Sequence, residues 1–275
     1  MKRKITILMI AFLSSVLMCA NVFAAATGRC GDSITWTLDD LGNLTLSGSG
    51  EMWNYGYDTS PFKEYEIRKA TVEYGITSIG DHAFEGCSGM TELTLPNSVT
   101  RIGDGAFCDC SGFTELILPN SVRSIGESAF SGCSGMTELT LPNSIASIGN
   151  AAFDGCSGLT ELTLPNSITS IGYYAFYGCS GLTELTLPDS VASIGDGAFI
   201  CCSDLSKITS LAEIPPVCGS GVFDRVNKTN CELIVPIVSV TAYKQAEVWN
   251  EFSNISGFSG VEVTVAGKTR KIVVE

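Results

Sequence analysis

One 23-residue unit recurs six times between Gly75 and Ser206, and this period restricts the chain more than any other property. Its marker is Ile-Gly, two variable residues, Ala-Phe, and a Cys three residues after the Phe. The marker begins at Ile79, Ile102, Ile125, Ile148, Ile171 and Ile194, a spacing of 23 each time. A unit this small cannot bury its own apolar face, so copies at a fixed period stack on one another as a solenoid. Such a stack presents a long repeated surface, better suited to holding a partner than to enclosing a catalytic pocket.

The segment from Met90 to Phe107 shows how one unit folds. Leu93 and Leu95 alternate with Glu92 and Thr94, the pattern of a short strand with one buried face. Pro96 lacks an N–H and ends the ladder. Asn97-Ser98 turns the chain, Val99 and Ile102 point inward again, and Gly103 is expected to permit a tight corner. Ala106 and Phe107 begin a short helical turn that Cys110 closes against the core. Stacking at roughly 4.8 Å places equivalent residues above one another. The expected core columns are Leu93, Leu116, Leu139, Leu162 and Leu185, and Phe84, Phe107, Phe130, Phe153, Phe176 and Phe199.

The chain of 275 residues is 45% hydrophobic, enough for a core running the length of a stack. Residues 1–26 read as a secretory leader: Lys2, Arg3 and Lys4, an apolar run from Ile5 to Phe23, and Ala24-Ala25-Ala26 before cleavage near Thr27. A lipoprotein reading at Cys19 is disfavoured by the large Met18 before it. No second apolar stretch is long enough to span a bilayer, and no cell-wall sorting signal is visible near Glu275. Net charge is −13, and loss of the leader's three basic residues takes it to −16. Nucleic acid and anionic membrane are therefore disfavoured, because phosphate binding needs clustered Lys and Arg. No Lys or Arg occurs between Arg123 and Lys207, whereas eight acidic residues do. A basic protein surface or divalent cations remain open as partners.

A solenoid needs both ends closed. Residues 27–74 read as an N-terminal β cap, with Ile34–Leu38 and Leu44–Leu46 as hairpin strands around the turn-rich Asp39–Asn43. The repeats fill 75–206. Residues 207–257 read as a C-terminal cap. Pro215-Pro216 breaks the pattern, Glu232–Val235 reads as a strand, and Ser239 starts a helix reaching about Phe252. On that helix Val240, Tyr243, Val248, Trp249 and Phe252 are placed to cover the last repeat. Residues 258–275 read as a terminal hairpin, Val261–Val265 and Lys271–Val274, or a tail.

The unit Leu-Thr-Leu-Pro-Asn-Ser-Val/Ile-x-Ser-Ile-Gly-x-x-Ala-Phe-x-Gly-Cys-Ser-Gly-Leu strongly resembles the repeat of the BspA-like leucine-rich-repeat family, with 141–159 near its consensus. Cys30-Gly-Asp with Trp36-Thr-Leu is similar to the entry segment of such proteins. Pro215 through Cys218, Val235-Pro236, Tyr243 and Trp249 are similar to the exit segment. The resemblance implies an α/β, right-handed leucine-rich-repeat solenoid, β-rich with short helical turns and capped at both ends. It also implies a secreted or bacterial cell-surface location and adhesin-like binding of an extracellular protein or glycan. A structural scaffold role in a cell-envelope assembly is the alternative.

There are twelve Cys. Cys87, Cys110, Cys133, Cys156, Cys179 and Cys202 form one per unit and read as small buried hydrophobes, because parallel inward side chains seldom reach disulfide geometry. A bond between Cys218 and Cys231 is left open by their spacing, and Cys30, Cys108 and Cys201 show no evident partner. No Cys-x-x-Cys pair with a His partner suggests a metal, no phosphate loop occurs, and no cofactor is indicated. His82, the one histidine, falls at a variable position expected to be exposed, with no nucleophile placed near it by motif. The chain is therefore read as non-catalytic. Two groups stand out as binding candidates. Glu92, Glu115, Glu138, Glu161 and Glu184 each precede an inward Leu, so alternation turns them outward. Their mutual repulsion, roughly 1 kcal/mol per neighbour in a water-like dielectric, is relieved either by a basic partner or bound cations, or by solvent and the Thr neighbours with nothing bound. Tyr173, Tyr174 and Tyr177 occupy variable positions in one repeat, as an interface anchor or as cover for a neighbouring repeat.

Overall fold

A computed structural model describes residues 24–259, together with the backbone of the strands Glu262–Val265 and Lys268–Lys271. The leader expected over residues 1–26 lies outside the described residues as far as position 23. The chain winds into a β-solenoid of about nine turns with little helix.

Each coil has three sides. The first carries a strand row that begins at Lys69–Val72, recurs at Glu92–Thr94, Glu115–Ile117, Glu138–Thr140, Glu161–Thr163 and Glu184–Leu187, and continues through Lys207–Ser210 and Glu232–Pro236 to Asn254–Phe258. Pairing is parallel and in register, for instance Glu115 with Glu138 and Glu184 with Lys207. A second row of mostly two-residue strands runs from Gly50–Glu51 to Val217–Cys218. The third side is made of turns. Here Phe84, Phe107, Phe130, Phe153 and Phe176 N–H groups donate to the carbonyls of Ala106, Ala129, Ala152, Ala175 and Ala198 in the next coil, at 2.7–2.8 Å. In the rows the N–H groups go both ways: Thr100 donates to Thr77 of the previous coil at 2.9 Å, and Leu164 to Thr186 of the next at 3.3 Å. Each coil is thus bonded on both sides, which answers the backbone demand that a buried non-helical segment must meet.

The core is a set of columns. The phenylalanine column is longer than the repeat count suggests. Rings of Phe62, Phe84, Phe107, Phe130, Phe153, Phe176, Phe199 and Phe223 stack with centroids 5.0–5.6 Å apart and planes within 15°. Trp36 meets Phe62 edge-on at one end, and Trp249 and Phe252 meet Phe223 at the other. All eight Phe side chains are fully buried. In the leucine column, Leu116, Leu162 and Leu185 are buried, while Leu93 and Leu139 are half-buried.

Two details differ from the sequence reading. Gly103 has no left-handed backbone; it is needed because a Cβ there would stand 2.6 Å from the Asp81 backbone nitrogen of the previous coil. The left-handed positions are instead the residue before each Ala-Phe and a residue before each ladder cysteine. The first set includes His82, Ser128, Ala151 and Tyr174, with φ from 48° to 54°. Two such residues per coil make the Ala-Phe segment a pair of tight turns, so the helical character expected there is slight.

At the N-terminal end β1 (Ala24–Gly31), β2 (Ile34–Asp39) and β3 (Asn43–Gly48) are antiparallel, and β3 pairs in parallel with Lys69–Val72. Asp39 fixes the hairpin turn, accepting the N–H groups of Leu41 and Asn43 at 2.9 and 2.8 Å, an Asx turn. At the C-terminal end the expected helix is shorter. It covers Val240–Gln245, then breaks at extended Ala246 and at Val248 (φ 70°), and a separate 3-10 turn spans Trp249–Glu251. The break carries Trp249 into the core, where its indole N–H donates to the Pro216 carbonyl at 2.8 Å. Tyr243, also buried, shares a hydrogen bond with Ser210 (2.7 Å) and donates to Ala212 (3.1 Å). The last hairpin pairs Glu262–Val265 with Lys268–Lys271, so the second strand begins three residues earlier than expected.

Removing one ring from the middle of the column leaves a void that neither neighbour can close. Phe130→Ala or Phe153→Ala is expected to lower unfolding free energy by about 3–5 kcal/mol, measured by urea denaturation; a loss below about 1 kcal/mol would show that the column collapses around the gap.

Candidate functional site

The outward positions of the first row form two parallel columns. One contains Glu92, Glu115, Glu138, Glu161 and Glu184, all exposed. Register extends it to Lys69 at one end and Lys207 at the other. Lys69 Nζ lies 2.8 Å from Glu92, and Lys207 Nζ lies 3.1 Å from Glu184. Glu115, Glu138 and Glu161 have no such partner among the described residues. Beside them runs a Thr column, Thr94, Thr140 and Thr163, interrupted by Ile117, which is 62% exposed. The sequence treated all five carboxylates as equivalent. The register divides them into two neutralised ends and a bare centre of three.

The tyrosines lie on the turn side, one coil wide. Tyr173 is 53%, Tyr174 48% and Tyr177 38% exposed. Tyr174 and Tyr177 meet edge to face at 5.9 Å. Tyr174 also covers the next coil, since a Cβ on Gly197 would stand 2.5 Å from its ring. Both readings of this cluster thus have a physical basis: one ring packs on its neighbour and all three remain open to solvent. In most coils the place of Tyr173 holds a short side chain that bonds the next coil. Asp81 accepts the Asp104 N–H at 3.0 Å, Asp104 the Glu127 N–H at 2.9 Å, and Asn150 the Tyr173 N–H at 3.1 Å. A tyrosine cannot continue this ladder, so the aromatic coil gives up one inter-coil bond. Cys201, beside Tyr177, raises its pKa, and burial raises that of Asp154 nearby.

The glutamate column and the tyrosine cluster are on different sides of the coil, so the structure does not bring them into one site. His82 is not the free surface residue expected. Its Nδ1 lies 3.0 Å from Glu85, whose side chain is nearly buried. Among the described residues no group of three or more His, Cys, Asp or Glu is placed to hold a metal ion, and no helix is long and apolar enough to cross a membrane.

All eleven described cysteines are free thiols, Cys218 and Cys231 included. The ladder sulfurs have a role that composition does not reveal. Cys110, Cys133, Cys156, Cys179 and Cys202 donate to the carbonyls of Phe84, Phe107, Phe130, Phe153 and Phe176, at 3.1–3.4 Å. A small side chain with a weak donor fits this place, where alanine would leave the carbonyl without that bond. Burial pushes the Cys87 and Cys202 thiols up to about 12, and burial, with Asp109 and Glu85 adding to it, pushes half-buried Cys108 up to about 11. A nucleophilic cysteine needs the opposite shift.

A family model described as BspA type leucine rich repeat region, in six copies, matches residues 58–157 and 133–233. No curated protein matches the chain. Among solved structures, a leucine rich cell surface protein from Faecalibacterium prausnitzii A2-165 is 26% identical with a TM-score of 0.55; the match covers 70% of this chain and 57% of that one. The chain therefore spans little more than half the length of that relative. The T. pallidum leucine rich repeat protein is 24% identical, TM-score 0.49, covering 65% of this chain and 91% of that one. A leucine-rich repeat protein from Bacteroides ovatus is 22% identical, TM-score 0.42, covering 74% and 70%.

The raised thiols set an alkaline limit on stability. Unfolded thiols ionise near 9, whereas Cys87 and Cys202 hold their protons to about 12. Above pH 9 the unfolded state binds fewer protons, so stability falls as pH rises toward 12. The urea midpoint should drop between pH 8 and pH 10.5, and N-ethylmaleimide should label the ladder cysteines only after denaturation. Tyr174 holds a left-handed backbone at a place where Gly105 and Gly197 serve in other coils. Relief of that strain is worth about 1–2 kcal/mol, so Tyr174→Gly should melt no more than a few degrees below the parent despite losing a ring.

Proposed function

Because the chain belongs to the BspA-type leucine-rich repeat family, we propose that it is a secreted or surface-displayed bacterial protein that binds an extracellular ligand without catalysis. The neighbour from Faecalibacterium prausnitzii, a cell surface protein in its own description, supports the location. One observation carries the choice of contact surface. Glu115, Glu138 and Glu161 form an exposed strip of like charge with no counter-ion among the described residues, while the ends of the same column are closed by Lys69 and Lys207. Repulsion within the strip makes the free protein less stable than it would be with that charge matched. A protein presenting Lys or Arg at strand spacing relieves it, with gains concentrated in the middle coils. The three exposed tyrosines provide a separate anchor of large area and low conformational cost.

Charge reversal at Glu138 and Glu161 tests the strip. The double variant should lose capture of basic matrix proteins by about tenfold or more, with a loss that shrinks as salt is raised past about 0.15 M, because exposed charges are screened within about 8 Å there. Replacement of Tyr173, Tyr174 and Tyr177 by Ala tests the second anchor. If both variants fold and retain full capture in surface plasmon resonance, the contact lies elsewhere. Capture of components of the organism's own envelope in place of matrix proteins would favour a scaffold role.

A further inference from the structure

A cleft at the N-terminal end of the solenoid uses neither the glutamate strip nor the tyrosine cluster. We infer that it binds saccharide, specifically a neutral or amino-bearing oligosaccharide, at a site separate from the contact surface proposed above. The cleft has a volume of about 760 Å³ and lies where Asp32, Glu51 and Trp53 of the N-terminal segment meet Thr77, Thr100 and Arg101 of the second row. This is within the roughly 300–1,000 Å³ span of small-molecule sites.

Trp53 supplies the platform. It is 42% exposed, whereas Trp36 and Trp249 are buried. It is also fixed. Its indole N–H donates to Asp32 Oδ1 at 3.0 Å, and its backbone N–H donates to the Cys30 carbonyl at 2.7 Å. A half-exposed apolar ring tethered at the wall of a polar cleft is unusual for a residue that has only to fold, since burying it would stabilise the protein further. Next to it, Gly50 has φ 93°, and a Cβ there would project into open space, so bare backbone leaves that wall clear.

The polar groups around the ring complete the set. Arg101 Nη2 is held 2.8 Å from Asp81 Oδ1, which positions the guanidinium and leaves its other N–H groups available. Glu51 is exposed with no ion-pair partner among the described residues, and Asp32 keeps one carboxylate oxygen free beyond its bond to the indole. A pyranose ring has an apolar C–H face and a rim of hydroxyls. The indole takes the face, and carboxylate and guanidinium take the hydroxyls as charge-assisted hydrogen bonds. Sign decides the class of sugar. Two carboxylates line the cleft against one guanidinium already paired to Asp81, so uronic or sulfated saccharides are repelled and neutral or amino sugars are admitted.

Glucosamine hexamer, N-acetylglucosamine hexamer, cellohexaose and a hyaluronan hexasaccharide serve as probes, read by calorimetry and by acrylamide quenching of tryptophan fluorescence. At least one of the first three should bind, protect Trp53 from acrylamide and leave the buried tryptophans unaffected; hyaluronan should not bind. Trp53→Ala should weaken binding about tenfold or more. Glu51→Lys, at an exposed residue, should weaken the amino hexamer more than the neutral ones. Glu138→Arg with Glu161→Arg should leave saccharide binding unchanged, which separates this site from the strip. The inference is overturned if none of the first three hexamers binds in the millimolar range, if hyaluronan binds best, or if a folded Trp53→Ala protein binds as tightly as the parent.

Discussion

Everything in this molecule depends on coils that complete one another. A 23-residue turn has too few neighbours of its own to cover a phenylalanine or satisfy a strand's backbone; the next turn does both. The ring of Phe130 sits between Phe107 and Phe153, and its N–H reaches Ala152. Strand rows send N–H groups to both neighbouring coils, and the Phe N–H groups of the turn side donate to the next. Adjacent coils are therefore linked through both donors and acceptors. Stability in such an array is a sum over joints, so it grows with the number of coils while no single coil is stable alone.

The repeats were legible because physics made them periodic. Inward Leu, stacking Phe and the closing Cys appear at fixed spacing, and the structure places them in columns. What the sequence hid lies where spacing slips while geometry persists. Phe62 and Phe223 extend the ring column, yet they stand 22 and 24 residues from their neighbours, so a search at 23 passes over them. Glycine suits corners, but the constraint on Gly103 is the nearness of another coil, which no local pattern records. The helix expected to reach Phe252 ends at Gln245, because docking Trp249 against Phe223 and Pro216 outweighs continuing the helical pattern. The thiol-to-carbonyl bonds of the cysteine ladder join residues 26 apart and were likewise beyond reach.

The binding surfaces follow the same division. Alternation alone gave the outward glutamates, but the distinction between closed ends and an open centre needed the register that brings Lys69 and Lys207 into the column. The tyrosines were visible as departures from the repeat. Their cost was not: Tyr173 interrupts a side-chain ladder, and Tyr174 holds a left-handed backbone that Gly105 and Gly197 adopt without strain, as His82, Ser128 and Ala151 also do with a side chain. Residues kept at a cost to folding are a better guide to use than residues that merely repeat. Trp53 belongs to this group, and nothing in its sequence surroundings separates it from an ordinary core aromatic.

The ring column has a genealogical consequence. Every joint along it is nearly interchangeable, so gain or loss of one whole unit leaves each remaining ring facing another ring and each carbonyl facing a donor. An insertion of any other size must be absorbed within a turn, as the spacings of 22 and 24 residues to Phe62 and Phe223 are, or it shifts a coil out of step with both neighbours. Descendants of this gene should therefore differ in rod length by integral units, while the tryptophan-bearing ends, which have no equivalents to replace them, stay in single copy.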